Sequence, residues 1–335
     1  MSINAFGIDL GTYNIKIYNG FRETISSHKN IIAIQNRHNI FAYGDEAFTM
    51  YEKAPSNIVV SFPLINGVIA DIHNMQVLLK NFILDEMDGN LRNADFYISV
   101  PTDITDVEKR AFYDLVKDSN VRARNIYIVE KAIADAIGLN VDVRNSPGVL
   151  VVNIGYETTE ISIISLGGIV LSRLIKLGGK KFDDSIRNII RKEYNLLIGM
   201  KTSERVKIAL PELKSTNSDA VVYGRDIVTG LPVERNIPTN LVEKSMSEHF
   251  ETIIDNVRVI LERTPPELAA DIYKTGIFLT GGSASIGNLH ELIARSTGLR
   301  VNFSANGEGS VAYGLSQIMN NEKLKDSAYS MYELD

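Results

Sequence analysis

Cysteine is absent from the 335 residues, which excludes a disulfide framework and any thiolate chemistry and fits a reducing compartment. Long lysine or arginine runs are missing too. The formal net charge is −6, and neither feature suits a protein whose main task is to bind nucleic acid. No uncharged apolar stretch reaches the ~20 residues that span a bilayer. The closest run, Ile161 to Leu171, is broken by Ser165, Gly167 and Gly168 and reads as a buried strand and turn. Met1-Ser2-Ile3-Asn4-Ala5 has no charged region leading into an apolar one, so no signal peptide is expected. What remains is the composition of a soluble globular protein, 44% apolar and 23% charged, long enough for two domains with cores of their own.

One turn is written twice. Gly7-Ile8-Asp9-Leu10-Gly11-Thr12-Tyr13-Asn14-Ile15-Lys16-Ile17 returns as Val151-Val152-Asn153-Ile154-Gly155-Tyr156-Glu157-Thr158-Thr159-Glu160-Ile161, with Asp9 and Asn153 144 residues apart. Each copy is an apolar strand, then Asp or Asn, an apolar residue, Gly, polar residues and a second strand. Two such hairpins predict two related domains closing on one ligand, their turns aiming backbone N–H groups at phosphates.

The rest of the chain alternates strands with helices, which predicts α/β layers. Strands are expected at about 6–19 (a pair), 31–34, 40–42, 96–101, 126–129 and 277–280, with a strand-rich stretch over 149–171. Apolar spacing predicts helices over 75–87, from the caps at Thr102–Asp106 through Val116, and from Glu130 to Gly138. Further helices are expected over 182–197, 202–210, 241–261 (stopped by Pro265-Pro266) and 310–319. A hairpin is expected around Thr229-Gly230-Leu231. No low-complexity linker separates the halves, so a shared interface and a hinge are expected.

Four segments carry candidate chemistry. In the first turn, Asp9 at a strand end can hold a hydrated Mg²⁺, Gly11 clears space for a phosphate and Thr12 adds a hydroxyl; an exposed hairpin turn fits the motif equally well. The second turn offers Gly155, Thr158 and Thr159. Gly281, Gly282 and Ser283 follow a buried strand, where glycines admit a flat ligand or simply make a turn. Glu204 and Lys207, at i and i+3, share a helix face; they could bond a ribose and an adenine, or form a solvated ion pair.

In this order the four segments resemble the actin, sugar-kinase and heat-shock-chaperone ATPase superfamily, and within it the MreB family of bacterial actins. The likeness runs nearly end to end. It includes Gly44-Asp45-Glu46-Ala47, Pro63-Leu64-Ile65-Asn66-Gly67-Val68-Ile69-Ala70-Asp71, Ile104-Thr105-Asp106-Val107-Glu108-Lys109-Arg110 and Arg263-Thr264-Pro265-Pro266-Glu267-Leu268. The resemblance implies an actin-like α/β fold: two related ribonuclease-H-like domains, each with a smaller subdomain, and a nucleotide cleft between them. The first domain would be 1–145 plus about 310–335, with a subdomain at about 32–63. The second would be 146–309, with a subdomain at about 178–238. It implies ATP or ADP with Mg²⁺ as cofactors. Gly11, Thr12, Tyr13, Asn14 and Lys16 would lie at the first phosphate loop and Gly155, Thr158 and Thr159 at the second. Glu204, Lys207, Gly281, Gly282 and Ser283 would form the nucleoside pocket, with Asp9 holding the metal through water. The implied function is a cytoplasmic filament of self-associating protomers, mixed or not with paralogues, at the inner face of the membrane. It would serve cell shape, or helicity and movement in a wall-less cell. A small-molecule kinase, a plasmid-segregating actin and a chaperone ATPase are the alternatives; the last is disfavoured by a chain ending at Asp335.

The chain departs from the family at three places. Asn153 replaces an Asp, Tyr156 and Glu157 replace two glycines, and Lys131 stands at the position of the water-activating Glu. A protonated Lys cannot act as that base, and Glu130, one residue earlier, would point about 100° away in a helix. Slow or absent hydrolysis is therefore expected. A γ-phosphate facing Glu157 would meet a second anion, and Lys131 could pair with Glu157 or hold that phosphate. Weak membrane attachment is expected through the loop 88–93, whose single apolar residue is Leu91.

Overall fold

A computed structural model describes residues 3–36, 39–144, 147–304 and 307–331. The expected domain boundary at 145/146, the last residues of the first domain (332–335), Met1-Ser2 and positions 37–38 of the first subdomain lie outside the described residues.

The first repeated hairpin is β1 (Ala5–Leu10) with β2 (Asn14–Asn19), followed by β3 (Thr24–Lys29). β4 (Ile32–Gln35), β5 (Asn39–Tyr43), α1 (Gly44–Met50) and β6 (Ile58–Ser61) then build a small sheet of order β5-β4-β6. Its own small core is Ile31, Ala33, Ala42 and Ala47. A two-stranded ribbon, β7 (Leu64–Ile65) and β8 (Val68–Ile69), leads into α2 (Ile72–Glu86). β9 (Ala94–Val100), α3 (Asp106–Asp118), β10 (Ala123–Glu130) and α4 (Lys131–Gly138) complete this half. α3 starts where its sequence demands: Thr105 accepts from the Glu108 backbone while the Glu108 carboxylate answers the Thr105 backbone, a reciprocal capping box.

The second half opens with β11 (Val149–Ile154), β12 (Thr159–Ser165) and β13 (Gly168–Ile175). α5 (Gly179–Tyr194), β14 (Leu196–Leu197), α6 (Met200–Ser215), β15 (Ala220–Asp226) and β16 (Pro232–Ile237) follow. Then come α7 (Thr239–Arg263), α8 (Pro266–Thr275), β17 (Ile277–Thr280), α9 (Leu289–Thr297), β18 (Val301–Phe303), α10 (Ser310–Asn320) and β19 (Ala328–Tyr329).

The duplication seen in the sequence is a duplication in space. One sheet has the order β19-β10-β9-β1-β2-β3 and the other β13-β12-β11-β17-β18. In both, the hairpin's first strand runs parallel to the strand beside it. Across the hairpins, Asp9 faces Lys16 and Asn153 faces Glu160, so the 144-residue offset holds in register.

Three apolar layers stack against the two sheets. One packs α2 and α3 against the first sheet through Phe82, Phe96 and Phe112. Another packs α5 and α7 on the second through Phe182, Ile186, Phe250 and Ile253. Between them lies a shared layer of α4 and α10, touching Tyr97 and Val129 of one sheet and Val149, Val151 and Ile164 of the other. α4 and α10 cross backbone to backbone. A Cβ on Gly314 would sit 1.7 Å from the Ala134 carbonyl oxygen, and one on Gly138 1.8 Å from that of Ser310.

Several expected boundaries move for physical reasons. The helix expected to reach Leu197 stops at Tyr194, because Asn195 takes the left-handed region (φ 50°) and Leu196–Leu197 pair with β15. The helix expected over 202–210 runs on through Pro211 to Ser215. Pro265-Pro266 stops α7 and starts α8, since proline suits the first turn of a helix. Glu130 ends a strand and caps α4 rather than opening the helix.

Candidate functional site

Both repeated turns open into one cavity of ≈420 Å³. Its walls come from the two hairpins, the start of α4, α6, the glycine turn after β17 and the turn before α10. Fourteen of the fifteen expected site residues line it: Asp9, Gly11, Thr12, Tyr13, Asn14, Lys16, Lys131, Gly155, Thr158, Glu204, Lys207, Gly281, Gly282 and Ser283. Thr159 is the exception and corrects the reading. Alternation along β12 turns it away from Thr158, and its hydroxyl donates to the Leu177 carbonyl at 2.8 Å in the fully buried layer behind. Gly281 needs its glycine: φ is +93°, and a Cβ would fall 2.4 Å from the Ile154 carbonyl oxygen.

The cavity floor is charged. Asp9 accepts from the Ser99 hydroxyl at 3.1 Å and meets the Lys131 ammonium at 3.3 Å. Burial alone would raise the Asp9 carboxyl, but Lys131 and Lys16 overrule it and hold it below the usual carboxylate range. Burial likewise opposes charge on Lys131, and Asp9, Glu160 and Asp135 keep it protonated above the usual lysine range. Glu160, buried and accepting from Thr102 at 2.6 Å, is pushed up to about 7 by desolvation.

Asn153 does not stand in for a second metal-side carboxylate. Its amide donates to Asp135 at 2.6 Å, within a buried set where Thr280 and Ser310 also donate to Asp135. Burial pushes the Asp135 carboxyl up.

Tyr13 and Tyr156 dominate the upper wall. Their rings stack at 4.3 Å, the Tyr13 hydroxyl donates to Glu204 at 2.6 Å, and Lys29 lies 3.8 Å over the Tyr13 ring. Burial and Glu204 push the Tyr13 phenol far up. Lys207 reaches the cavity but its ammonium is held by Asp183 and the Gly179 carbonyl, at 2.8 and 3.1 Å. Desolvation raises Asp183 to about 6 despite that partner. Glu204 and Lys207 thus share a helix face without pairing with each other.

Sequence reading missed Lys29 and Glu308. Glu308 accepts from Asn14 at 3.0 Å and lies 3.5 Å from Lys16. No local motif marks either residue; chain folding brings them in from 15 and 294 residues beyond Asn14.

Two further expectations are corrected, those for Glu157 and Leu91. Glu157 does not face the cavity or Lys131: its carboxylate accepts from Lys180 and from the Asn66 backbone, both at 2.6 Å. Repulsion between Glu157 and a phosphate therefore drops out, and Lys131 takes Asp9 instead. Glu130 is directed elsewhere, its carboxylate bonded to Lys109 at 2.7 Å and Tyr329 at 3.1 Å. Leu91 is half-buried against the first core, with its carbonyl accepting from Arg122 at 3.0 Å, so it is no free membrane anchor.

A hydrated Mg²⁺ fits this donor set poorly. Among the described residues, no group of three or more His, Asp or Glu could hold a metal ion. One carboxylate with several waters could suffice, but Asp9 already faces an ammonium. At an effective dielectric of about 20, two unit charges ~4 Å apart interact by about 4 kcal/mol, and a divalent ion doubles that repulsion.

Two sheets of matching order, each sending one hairpin turn into a cleft floored by a shared helix pair, define an actin-like fold. The comparisons agree and narrow it: a profile of the MreB/Mbl protein family matches residues 3–327, and the chain belongs to that family. It is 36% identical over 325 residues to the cell shape-determining protein Mbl of Bacillus subtilis strain 168, covering 96% of this chain and 97% of that one. It is 33% identical over 310 residues to the cell shape-determining protein MreB of Escherichia coli K12, covering 90% and 89%. The crystal structure of MreB5 of Spiroplasma citri bound to AMPPNP superposes with a TM-score of 0.87 at 32% identity, covering 97% and 98%. Among the described residues no helix is long and apolar enough to cross a membrane.

Proposed function

We propose that this chain is a nucleotide-binding bacterial actin that polymerises with copies of itself, with or without paralogues, and hydrolyses ATP slowly or not at all. ATP or ADP is the ligand of the cleft. Gly11, Thr12, Tyr13, Asn14 and Lys16 serve the phosphates from one side, Gly155 and Thr158 from the other. Glu204, Lys207, Gly281, Gly282 and Ser283 serve the nucleoside. The Spiroplasma relative bound to AMPPNP and, in a second structure, to ADP supports that ligand class. The names of the Bacillus and Escherichia relatives support a role in cell shape; in a wall-less cell the role we propose is helicity or motility. The working compartment is the cytoplasm at the inner membrane face. We also read the chain as two actin-like domains, 1–145 with about 310–335 and 146–309.

The observation that carries slow hydrolysis is the Lys131 ammonium at the cleft floor, 3.3 Å from Asp9. Water needs a group that accepts its proton, and a protonated amine does not. Glu130, the nearest carboxylate in sequence, is bound to Lys109 and Tyr329. The test is sedimentation and phosphate release from one tube with Mg·ATP. Filaments that pellet with negligible release support the reading; release coupled to assembly refutes it.

A further inference from the structure

We propose that Lys131, rather than a divalent cation, is the counter-charge to the phosphates in this cleft, so that nucleotide binds as well without Mg²⁺ as with it. The inference rests on the cleft being a nucleotide site.

Geometry fixes the ammonium where the charge is wanted. Lys131 is the first residue of α4, which starts directly from β10. Neighbouring β9 brings Ser99 opposite Asp9 at the end of β1. The Lys131 Nζ therefore stands 3.3 Å from Asp9 Oδ1 with its side chain 21% exposed. Asp9 is its one ion-pair partner among the described residues. An ammonium has three donors, so two remain for phosphate oxygens while the third keeps Asp9 neutralised. Without that third bond, Asp9 would repel the phosphates.

The acidic groups nearby are engaged. Asn153, which matches Asp9 in the second hairpin, carries no charge and gives its amide to Asp135. Glu160 accepts from Thr102 and Asp135 accepts from three side chains. A Mg²⁺ demands an octahedral shell at about 2.0–2.1 Å, largely of water and phosphate, and the one carboxylate that could anchor it, Asp9, is already in contact with this ammonium. Lys16 adds a second cation from the facing strand, with an exposed Glu308 3.5 Å away as its loose partner.

The test is a titration of the full chain with a fluorescent ATP analogue, once in excess Mg²⁺ and once in excess EDTA. Lys131→Met and Lys131→Arg are measured beside the parent chain. The expected parent affinities agree within about threefold. Lys131→Met should lose about tenfold or more in EDTA and regain it in Mg²⁺, while Lys131→Arg stays insensitive to the metal. A parent chain that binds tenfold tighter or more with Mg²⁺ overturns the counter-charge and leaves the nucleotide cleft standing. Absence of binding in both buffers overturns the nucleotide reading and this inference with it. If Lys131→Met does not fold, the parent comparison and Lys131→Arg still decide.

Discussion

Tyr13 and Tyr156, one from each repeated turn, stack with ring centroids 4.3 Å apart and planes 30° from parallel. The pair ties the two halves together over the cavity, and Tyr13 in turn holds Glu204 at 2.6 Å. A stacked aromatic pair contributes about 0.5–1.5 kcal/mol beyond its buried area. Tyr156→Ala should therefore loosen the cleft and raise both association and dissociation rates of a fluorescent ATP analogue, by up to about tenfold. Stopped-flow traces that match the parent would show that the stack does not limit access.

Glu157 and Lys131 both depart from the family pattern, yet they should behave differently. The Glu157 carboxylate serves Lys180 and Asn66 outside the cavity. Glu157→Gly should leave phosphate release within about twofold while costing about 2–4 kcal/mol of stability, from lost charged hydrogen bonds and added backbone freedom. A marked gain in phosphate release would mean the carboxylate does reach the site.

Glu160 sets a pH dependence. Its carboxyl rises from 4.5 to about 7 on folding because it is buried. The unfolded chain therefore ionises first as pH rises, and the folded state loses stability between about 4.5 and 7. The loss is on the order of 3 kcal/mol. Glu160→Gln removes that loss. The variant should unfold at a higher temperature than the parent at pH 8, and the gap should close towards pH 4. An equal gap at both values would rule out this titration.

The seam between α4 and α10 leaves no room for a methyl group. Gly314→Ala would bring Cβ to 1.7 Å from a backbone oxygen, a clash that rotamer changes cannot relieve. The expected cost exceeds about 3 kcal/mol, which for a chain of this length lowers Tm by about 4 °C or more. A melting curve within a degree of the parent would show that the helices separate readily.

Local signals exposed the repeat, and with it most of the cavity. Strand alternation, a glycine at each turn and the cap at Thr105 are written within a few residues, so the hairpins and α3 could be read directly. β3 escaped because Thr24–Lys29 is polar and half-exposed, without an apolar alternation to mark it. The motif names both threonines, while a strand can turn only one of them to the cleft, and Thr159 faces the Leu177 carbonyl instead. Lys207 lines the cavity as its motif predicts, but the buried partner that holds it, Asp183, lies 24 residues away with no motif joining them. The same holds for Glu308, which meets Asn14 across nearly the whole chain. Pairings at that distance are set by how sheets stack, which no short window of sequence contains.

The glycine crossing of α4 and α10, in the layer that touches both sheets, also restricts how those sheets can move. Two rods touching along their backbones can pivot on each other at little cost, whereas pulling them apart would open a void in the shared layer. The hairpins stand off that axle, one on each sheet. A ligand that draws the turns together would therefore act on a lever, and its expected effect is a twist between the sheets rather than a change in their spacing.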